Sequence, residues 1–591
     1  MHTFLPPDGG VPNLVAFPKL VFAPRSGKLP PLNNLLANRW SRYLLAVVAG
    51  LLLAAAFPNF IPDFNLAGFA WIAPALMLTA AHGTRGWETF RIGYMAGLAH
   101  FLASLYWLLL IPVTGFPILG WLALSAFVAL YPAVWVWAVS RFAIRESGWA
   151  TRFHWSLAGA AVWVALEMIR ARLFSGFPWN PLGASQYKLT PLIQIASVTG
   201  VYGVSFLVVW VSLSLFNAGQ SILRDPARRL AWQAEIILPL AVVMTLFVFG
   251  SARLRSLPPP AATLRVTFVQ PSIPQTMIWD TAENTNRFRQ LLALTERALT
   301  NETDLLLWPE AALPNFNEAS FTAITNLIQR HHVWMIFGAD DVEPKLNPVG
   351  TERYDYYNAA FLFHPASSFA QVYRKQKLVI FGEYIPLVRW LPFVKWFTPI
   401  TGGFTSGGKP VPFVLERRFP NRPGPDATPT EQAGLETGAP ARVKTSALIC
   451  FEDVFPHLAR EYADADTDFL VNLTNDGWFG EGAEQWQHAA AAVFRAVENG
   501  LPLLRCCNNG LTCWVDARGS VQQIFRAETG GVYGAGFVTW KIPLLAPGEK
   551  RAPTFYNLHG DWFGWACVAL AAPLLLAHRQ RGDAFSQSAA P

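Results

Sequence analysis

The sequence predicts two unlike parts in one chain: a multi-pass α-helical membrane domain of about eight spans and a water-facing α/β layered domain. Three observations carry that prediction. Hydrophobic residues make up 52% of the 591 residues and charged residues only 14%, far below the roughly 25% of a soluble globular protein. Before residue 255, apolar runs recur that approach the roughly 20 residues needed to cross a bilayer. Beyond residue 262 the texture changes to short β-rich runs alternating with polar helical stretches, the pattern of a layered α/β fold.

The elements follow in chain order. Residues 1–38 are rich in Pro and Gly, show neither a helical nor a strand period, and read as a flexible cytoplasmic leader. The membrane domain covers 39–255, with seven apolar segments near 43–57, 66–81, 92–111, 118–140, 155–174, 193–216 and 233–250. An eighth, near 562–577 in a C-terminal region at 560–580, precedes a cytoplasmic tail at 581–591. Pro74, Pro132, Pro239 and Pro573 fit spanning helices, because neighbouring helices satisfy the freed carbonyls. A cleaved signal peptide competes for the first span, since Ala54 to Ala56 resembles a cleavage site, but a start about 40 residues into the chain is too late.

Basic residues set the orientation, because cytoplasmic loops retain them. Arg39 and Arg42 precede the first span; Arg85 and Arg91 follow the second, Arg141, Arg145 and Arg152 the fourth, and Arg224, Arg228 and Arg229 the sixth. Loops 58–65 and 112–117 carry none. The N-terminus is therefore expected inside the cell and the long segment after the seventh span outside. Arg170, Arg172 and Lys188, after the fifth span, run against this pattern; Glu167 and Arg170, at i, i+3 spacing, are read as an interfacial pair. The net charge of +7 is explained by this topology, so nucleic acid is not an expected partner.

In the water-facing part, 263–545, the runs TLRVTFVQ, DLLLWPE, VWMIFGA, AAFLFH, TSALICFE, DFLVNLTN and PLLRCCNN read as buried strands. The amphipathic stretch 281–300, with Phe288, Leu291, Leu292, Leu294 and Leu299, fits a helix between the first two. RSLPPPAA at 255–262 is a linker and 417–442 a Pro-, Gly- and Thr-rich surface insertion. Cys506, Cys507 and Cys513 lack the paired spacing of a zinc site and read as core thiols, with a disulfide from Cys506 or Cys507 to Cys513 left open. GFTSGGK at 403–409 has the spacing of a phosphate loop, but Pro410 replaces the residue that would hold magnesium and no helix can open there. Neither a metal nor another cofactor is expected.

Strand ends deliver a coherent reactive set: Glu310 closes LLLWPE, Lys375 lies in VYRKQKL, and Cys450 closes SALICFE. Ends of neighbouring strands in a layered sheet converge on one crevice. A thiol can attack a carbonyl, a carboxylate can take its proton, and an ammonium can stabilise the oxyanion. Glu383, Glu452 and Asp453 lie close by in sequence, and so many acids beside an apolar crevice require cations or a reactive role.

WPE at 308–310, YRK at 373–375 and CFED at 450–453 resemble the Glu-Lys-Cys signatures of the nitrilase superfamily, which implies an αββα sandwich. KLVIFGEYIP (377–386), NLTNDGWFG (472–480), QHAAAAVFRAVENGLPLLR (487–505), GFPWNPLGASQ (176–186) and GVYGVSFLV (200–208) narrow the resemblance, over about residues 40–580, to the apolipoprotein N-acyltransferase family. The resemblance implies a monomeric enzyme of the bacterial inner membrane, its catalytic domain on the periplasmic side. It implies acyl transfer from phospholipid to the N-terminal amine of an S-diacylglyceryl-cysteine lipoprotein through a thioester on Cys450. Glu310 would be the general base, protonated in the first step and active in the second, and Lys375 the oxyanion stabiliser. Glu383 and Glu452 would orient Lys375 or the amine, while Trp279 and Phe451 would contact substrate. The apolar run 384–404, with Trp390 and Trp396, would dip into the membrane surface as a lid. Ile380, Gly477 and Leu501 depart from the family pattern, where proline, alanine and arginine are usual.

Two other readings compete. A membrane-tethered nitrilase-type amidase needs no eight spans. A multipass transporter with an inert outer domain needs ionisable residues deep in several spans, whereas here nearly all lie at the ends.

Overall fold

A computed structural model describes residues 38–59, 66–113, 116–141, 148–224, 227, 229–256, 262–278, 281–314, 316–346, 352–366, 370–386, 403–417, 441–546 and 549–572. Almost all of the leader, the whole C-terminal tail, Trp279, nearly all of the insertion and most of the lid run, including Trp390 and Trp396, lie outside the described residues.

The first part of the chain is helical: α1 (Arg39–Ala55), α2 (Trp87–Ser104), α3 (Phe116–Val128), α4 (Leu130–Ser140), α5 (Trp149–Arg170), α6 (Val201–Arg224) and α7 (Arg229–Arg255). Three helices among the described residues are long and apolar enough to cross a membrane: Pro117–Ser140, which joins α3 to α4, Val201–Arg224 and Trp232–Arg255. Several expected segments have other bounds. The run 66–81 folds as a 3-10 turn, Ala67–Trp71, and a short helix, Ala73–Ala80, with Pro74 in its first turn. The run 193–216 is broken at Gly200 and continues as α6 to residue 224. A Cβ on Gly200 would stand 2.6 Å from the Tyr556 ring, and its φ of +66° turns the chain. Among the described residues, the eighth segment is the 11-residue apolar helix Trp562–Ala572.

Glu167 and Arg170 do not act as an interfacial pair. Both are buried; Glu167 accepts from Trp163 Nε1 at 2.8 Å and from the Leu182 amide at 2.7 Å, and Arg170 donates to the Asn180 carbonyl at 3.2 Å. Arg172 pairs with Asp561. These arginines are committed to internal contacts, which explains why that loop breaks the charge pattern.

Beyond the linker stand two six-stranded sheets. One comprises β1 (Ala262–Gln270), β2 (Leu305–Leu307), β3 (Trp334–Leu346), β4 (Glu352–Phe363), β5 (Ala370–Arg374) and β12 (Gly536–Leu544), in the order β12-β1-β2-β3-β4-β5. The other comprises β6 (Pro412–Arg417), β7 (Ala441–Ile449), β8 (Phe469–Thr474), β9 (Leu503–Cys507), β10 (Cys513–Val515) and β11 (Val521–Ile524), in the order β11-β10-β9-β8-β7-β6. All seven expected strands are present, and the helix expected at 281–300 is α8 (Asn284–Ala298). β6 and β7 pair antiparallel from Pro412↔Ser446 to Arg417↔Ala441, so the insertion joins two bonded strands.

Strand alternation builds the layers. Leu306, Trp308, Met335, Phe337, Ala359 and Phe361 pack with Leu291 and Ala298 of α8 and with Ile324, Leu327 and Ile328 of α9 (Glu318–His331). Their neighbours Leu305, Leu307, Ile336, Ala360 and Leu362 share a core with Leu448, Leu470, Leu473 and Leu504 of the second sheet. The second sheet is covered by α10 (Glu484–Asn499), whose Ala490, Val493, Phe494 and Val497 join that core. Helix, sheet, sheet and helix thus stack in four layers. In each sheet three strands run parallel, β1-β2-β3 and β7-β8-β9, so their carboxyl ends gather reactive groups at one edge.

Candidate active site

Glu310, Lys375 and Cys450 each follow a strand end, and the fold brings them to one crevice. Glu310 lies just beyond β2 in a turn pressed against β3; a Cβ at Gly338 would stand 2.6 Å from the Pro309 carbonyl and 2.7 Å from Glu310 Cα, so only glycine admits the approach. Lys375 follows β5, with its amide bonded to the Asn358 carbonyl at 2.8 Å. The glycine-rich decoy serves this lysine: the Gly407 amide donates to the Lys375 carbonyl at 2.7 Å, and a Cβ there would meet the Arg374 carbonyl at 2.1 Å. Cys450 follows β7 in a left-handed turn with φ +50°, a conformation that costs a non-glycine residue energy and concentrates at functional sites.

Lys375 Nζ, 1% exposed, lies 3.1 Å from Glu310 Oε1 and 2.8 Å from Glu383 Oε1. Asn358 Nδ2 donates to the same two oxygens, at 2.8 Å each. Glu383 Oε2 accepts the Val379 amide at 2.8 Å, whereas Glu310 Oε2 has no donor among the described residues. That asymmetry separates two carboxylates of one type: Glu383 is held at both oxygens, and Glu310 at one. Asp340, the register partner of Asn358, faces the same group of charges. Burial, then the charges of Glu310 and Glu383, push its carboxyl up to about 8.

Burial pulls the Lys375 ammonium down, but Glu310 and Glu383 outweigh it and raise its pKa well above the usual value. Burial also raises the Cys450 thiol, reinforced by the Glu310 charge and opposed by Lys375 and by a hydrogen bond with Thr474. Cys450 is therefore held as a thiol beside a fixed cation, and a base would have to take its proton before the sulfur could attack a carbonyl.

Glu452 sits elsewhere than beside the Lys375 ammonium. Fully buried, it accepts the Gln376 and Lys377 amides at 2.7 and 3.1 Å, the Ile449 amide at 2.7 Å, and the Tyr373 hydroxyl at 2.8 Å. One carboxylate thus clasps the chain on the far side of Lys375 to the residue before Cys450. Phe451 stacks at centroid distances of 6.3 Å on Phe177 and 6.2 Å on Trp179, both from the GFPWN loop of the helical part.

Behind Cys450 is a second ionic group that the sequence reading missed. His488 Nε2 lies 2.7 Å from Asp453 Oδ1, its Nδ1 3.1 Å from Asp476 Oδ1, and Arg505 lies 2.8 Å from Asp453 Oδ2 and 3.2 Å from Asp476 Oδ2. Burial lowers His488, but the Asp453 carboxylate outweighs it and holds the imidazole up to about 10. Burial and the Asp476 charge raise Glu484 well above the carboxylate range. Asp476, Glu484 and His488 are close enough to suggest a metal site. Two cations already neutralise the two aspartates, and both ring nitrogens face carboxylates, so these residues do not fit a further cation. All five cysteines are free thiols, with Cys506, Cys507 and Cys513 buried in the core, which closes the disulfide alternative.

A hydrophilic strand position was the available signal for Asn358, which interrupts the run YYNAAFLF; the expected strand AAFLFH began one residue after it.

Comparison with known proteins gives the chain its relatives. Residues 49–214 match the apolipoprotein N-acyltransferase N-terminal domain, and residues 265–534 match the carbon-nitrogen hydrolase family. An apolipoprotein N-acyltransferase from Geobacter metallireducens is 35% identical over 91% of this chain and 96% of its own length. Those from Bradyrhizobium diazoefficiens and Chlorobaculum tepidum are 30% and 29% identical over 92% and 90% of this chain, and 95% and 96% of their own lengths. With a nitrilase-superfamily α/β domain of two sheets joined to apolar helices, the chain belongs to the apolipoprotein N-acyltransferase family of acyltransferases.

Proposed function

We propose that this enzyme transfers a fatty acyl chain from phospholipid to the N-terminal amine of S-diacylglyceryl-cysteine lipoproteins through a thioester on Cys450. The observation that carries the reading is a half-buried Cys450 thiol in the field of Lys375 and of a carboxylate, Glu310, that has one oxygen held by Asn358 and Lys375 and no donor to the other among the described residues. As Sγ attacks the ester carbonyl, Glu310 takes the thiol proton and Lys375 stabilises the oxyanion. Collapse breaks the bond to the glycerol oxygen, which leaves with the proton from Glu310 as lysophospholipid. The amine then attacks the thioester, passes a proton to Glu310, and the amide forms as that proton returns to sulfur. Glu383 orients Lys375, and Glu452 holds the spacing between Lys375 and Cys450. Phe451 and Trp279 contact the acyl chain, and the run 384–404 serves as a lid at the membrane surface.

The same reading assigns residues 1–38 to a cytoplasmic leader, 39–255 to a membrane domain of seven spans, and 263–545, with the insertion 417–442, to a periplasmic catalytic domain. An eighth span at 560–580 returns the tail, 581–591, to the cytoplasm, and the enzyme works as a monomer in the bacterial inner membrane. The basic loops support that orientation. An alkaline phosphatase fusion near residue 300 should be active and one near 225 inactive; the reverse would refute the topology. The function is tested by Cys450→Ala and Cys450→Ser in cells that depend on this protein, with mass spectrometry of lipoprotein N-termini. Both variants should leave the amines free, and normal N-acylation in either refutes the reading.

A further inference from the structure

The reactive turn has a grip that the mechanism above does not use. Because β7 ends at Ile449, the Cys450 carbonyl points out of the ladder and needs other donors. It receives two, Asn472 Nδ2 at 3.0 Å and His488 Nε2 at 3.2 Å, the latter shared with Asp453 Oδ1 at 2.7 Å. The other ring nitrogen of His488 faces Asp476 Oδ1 at 3.1 Å, so acceptors on both sides require hydrogen on both nitrogens. His488 is 1% exposed and reaches the backbone of Cys450, which leaves it no contact with substrate.

The preceding residue faces the helical part. Gln487 Oε1 accepts from Trp107 Nε1 at 3.2 Å, Trp179 Nε1 at 2.8 Å and Asn180 Nδ2 at 3.0 Å. Its Nε2 donates to the carbonyls of Pro58 at 2.9 Å and Ser104 at 3.1 Å. Two successive residues of α10 therefore hold the nucleophile's turn on one side and several membrane-domain segments on the other.

We propose that His488 is a positioning residue for acyl transfer: clasped as an imidazolium between Asp453 and Asp476, it grips the Cys450 carbonyl with Asn472, fixes the left-handed turn that aims Sγ at the crevice, and through Gln487 keeps that turn in register with the membrane domain. This rests on Cys450 being the acyl carrier. A turn released from its grip misplaces Sγ without altering the surfaces that bind lipid, so the loss falls on the chemical step.

The test uses the full chain in phospholipid-detergent micelles and reads single-turnover thioester formation per folded enzyme, with the concentration dependence on phospholipid. Folded His488→Leu should form thioester about 100-fold more slowly at an unchanged half-saturating phospholipid concentration. A parental rate, or a change in half-saturation alone, overturns the proposal. Should His488→Leu not fold, His488→Gln decides: it keeps one donor toward Cys450 but gives up the bond to Asp476, and should be about tenfold slower. A parental rate there overturns the proposal equally. Parental enzyme that forms no phospholipid-derived thioester refutes the proposed function instead, so the two failures are distinct.

Discussion

Two buried ionic groups flank Cys450, and they differ in charge balance. On one side Glu310, Glu383 and the raised acid Asp340 face a single ammonium, Lys375. On the other, Asp453, Asp476 and the raised acid Glu484 face His488 and Arg505, one cation for each of the two aspartates. The balanced group neutralises its two aspartates from within and serves as a frame. The unbalanced group holds more negative charge than it neutralises, which is tolerable where a proton must be accepted and passed on. Excess charge at a site of reaction and neutrality in its support follow from one desolvation cost applied to two tasks.

The largest effect that can break this comparison is loss of the nucleophile. Cys450→Ala should lower thioester formation and N-acylation by at least roughly 10,000-fold. Next come the reactive partners: Glu310→Gln and Lys375→Met should each slow thioester formation about 100- to 10,000-fold. A loss under tenfold in either would remove that residue from the chemistry.

Stability separates the groups more sharply. Arg505→Leu leaves two buried carboxylates to one cation, His488, and should destabilise the fold by about 3–5 kcal/mol, seen as a lower melting temperature. Glu383→Gln removes part of an excess charge but sets its NH2 against the Val379 amide, so it should lose only about 1–2 kcal/mol while turning over about tenfold more slowly. Equal melting losses in both variants would erase the distinction.

The smallest effect concerns pH. The Asp340 carboxyl, raised in the fold from its ordinary 3.8 to about 8, keeps its proton where the unfolded chain has released it. Its contribution to stability therefore falls as pH rises from about 4 to about 8 and levels off above that. Asp340→Asn should flatten this part of a melting-temperature profile; an unchanged slope assigns it to other groups.

The two groups were not equally legible in the sequence. Glu310 and Cys450 announce themselves because each follows an apolar strand, where a reactive side chain is conspicuous, and Lys375 because it stands in YRK, two positions after a tyrosine at a strand end. Asp453, His488, Asp476 and Arg505 come from a turn, a helix, a turn and a strand, and no local period reports that they meet. In the sequence Asp453 is one more acid beside Cys450, and His488 one residue of the stretch QHAAAAVFRAVENGLPLLR. The helical part was legible as apolar mass but not in its breaks: Gly200 interrupts one run because the Tyr556 ring, far away in sequence, occupies the space of a Cβ. Arg170 and Arg172 obscured the loop charges because their partners, Asn180 and Asp561, are set by packing.

The most direct measurement follows the acyl group on sulfur. Purified full-length enzyme is incubated with phospholipid labelled in its acyl chain, without acceptor, then digested and weighed. The account predicts the label on the Cys450 peptide, and its transfer to the N-terminus of a diacylglyceryl peptide added afterwards. Labelled acceptor from enzyme whose Cys450 never carries the acyl mass, or label on any other residue as the intermediate, would contradict it.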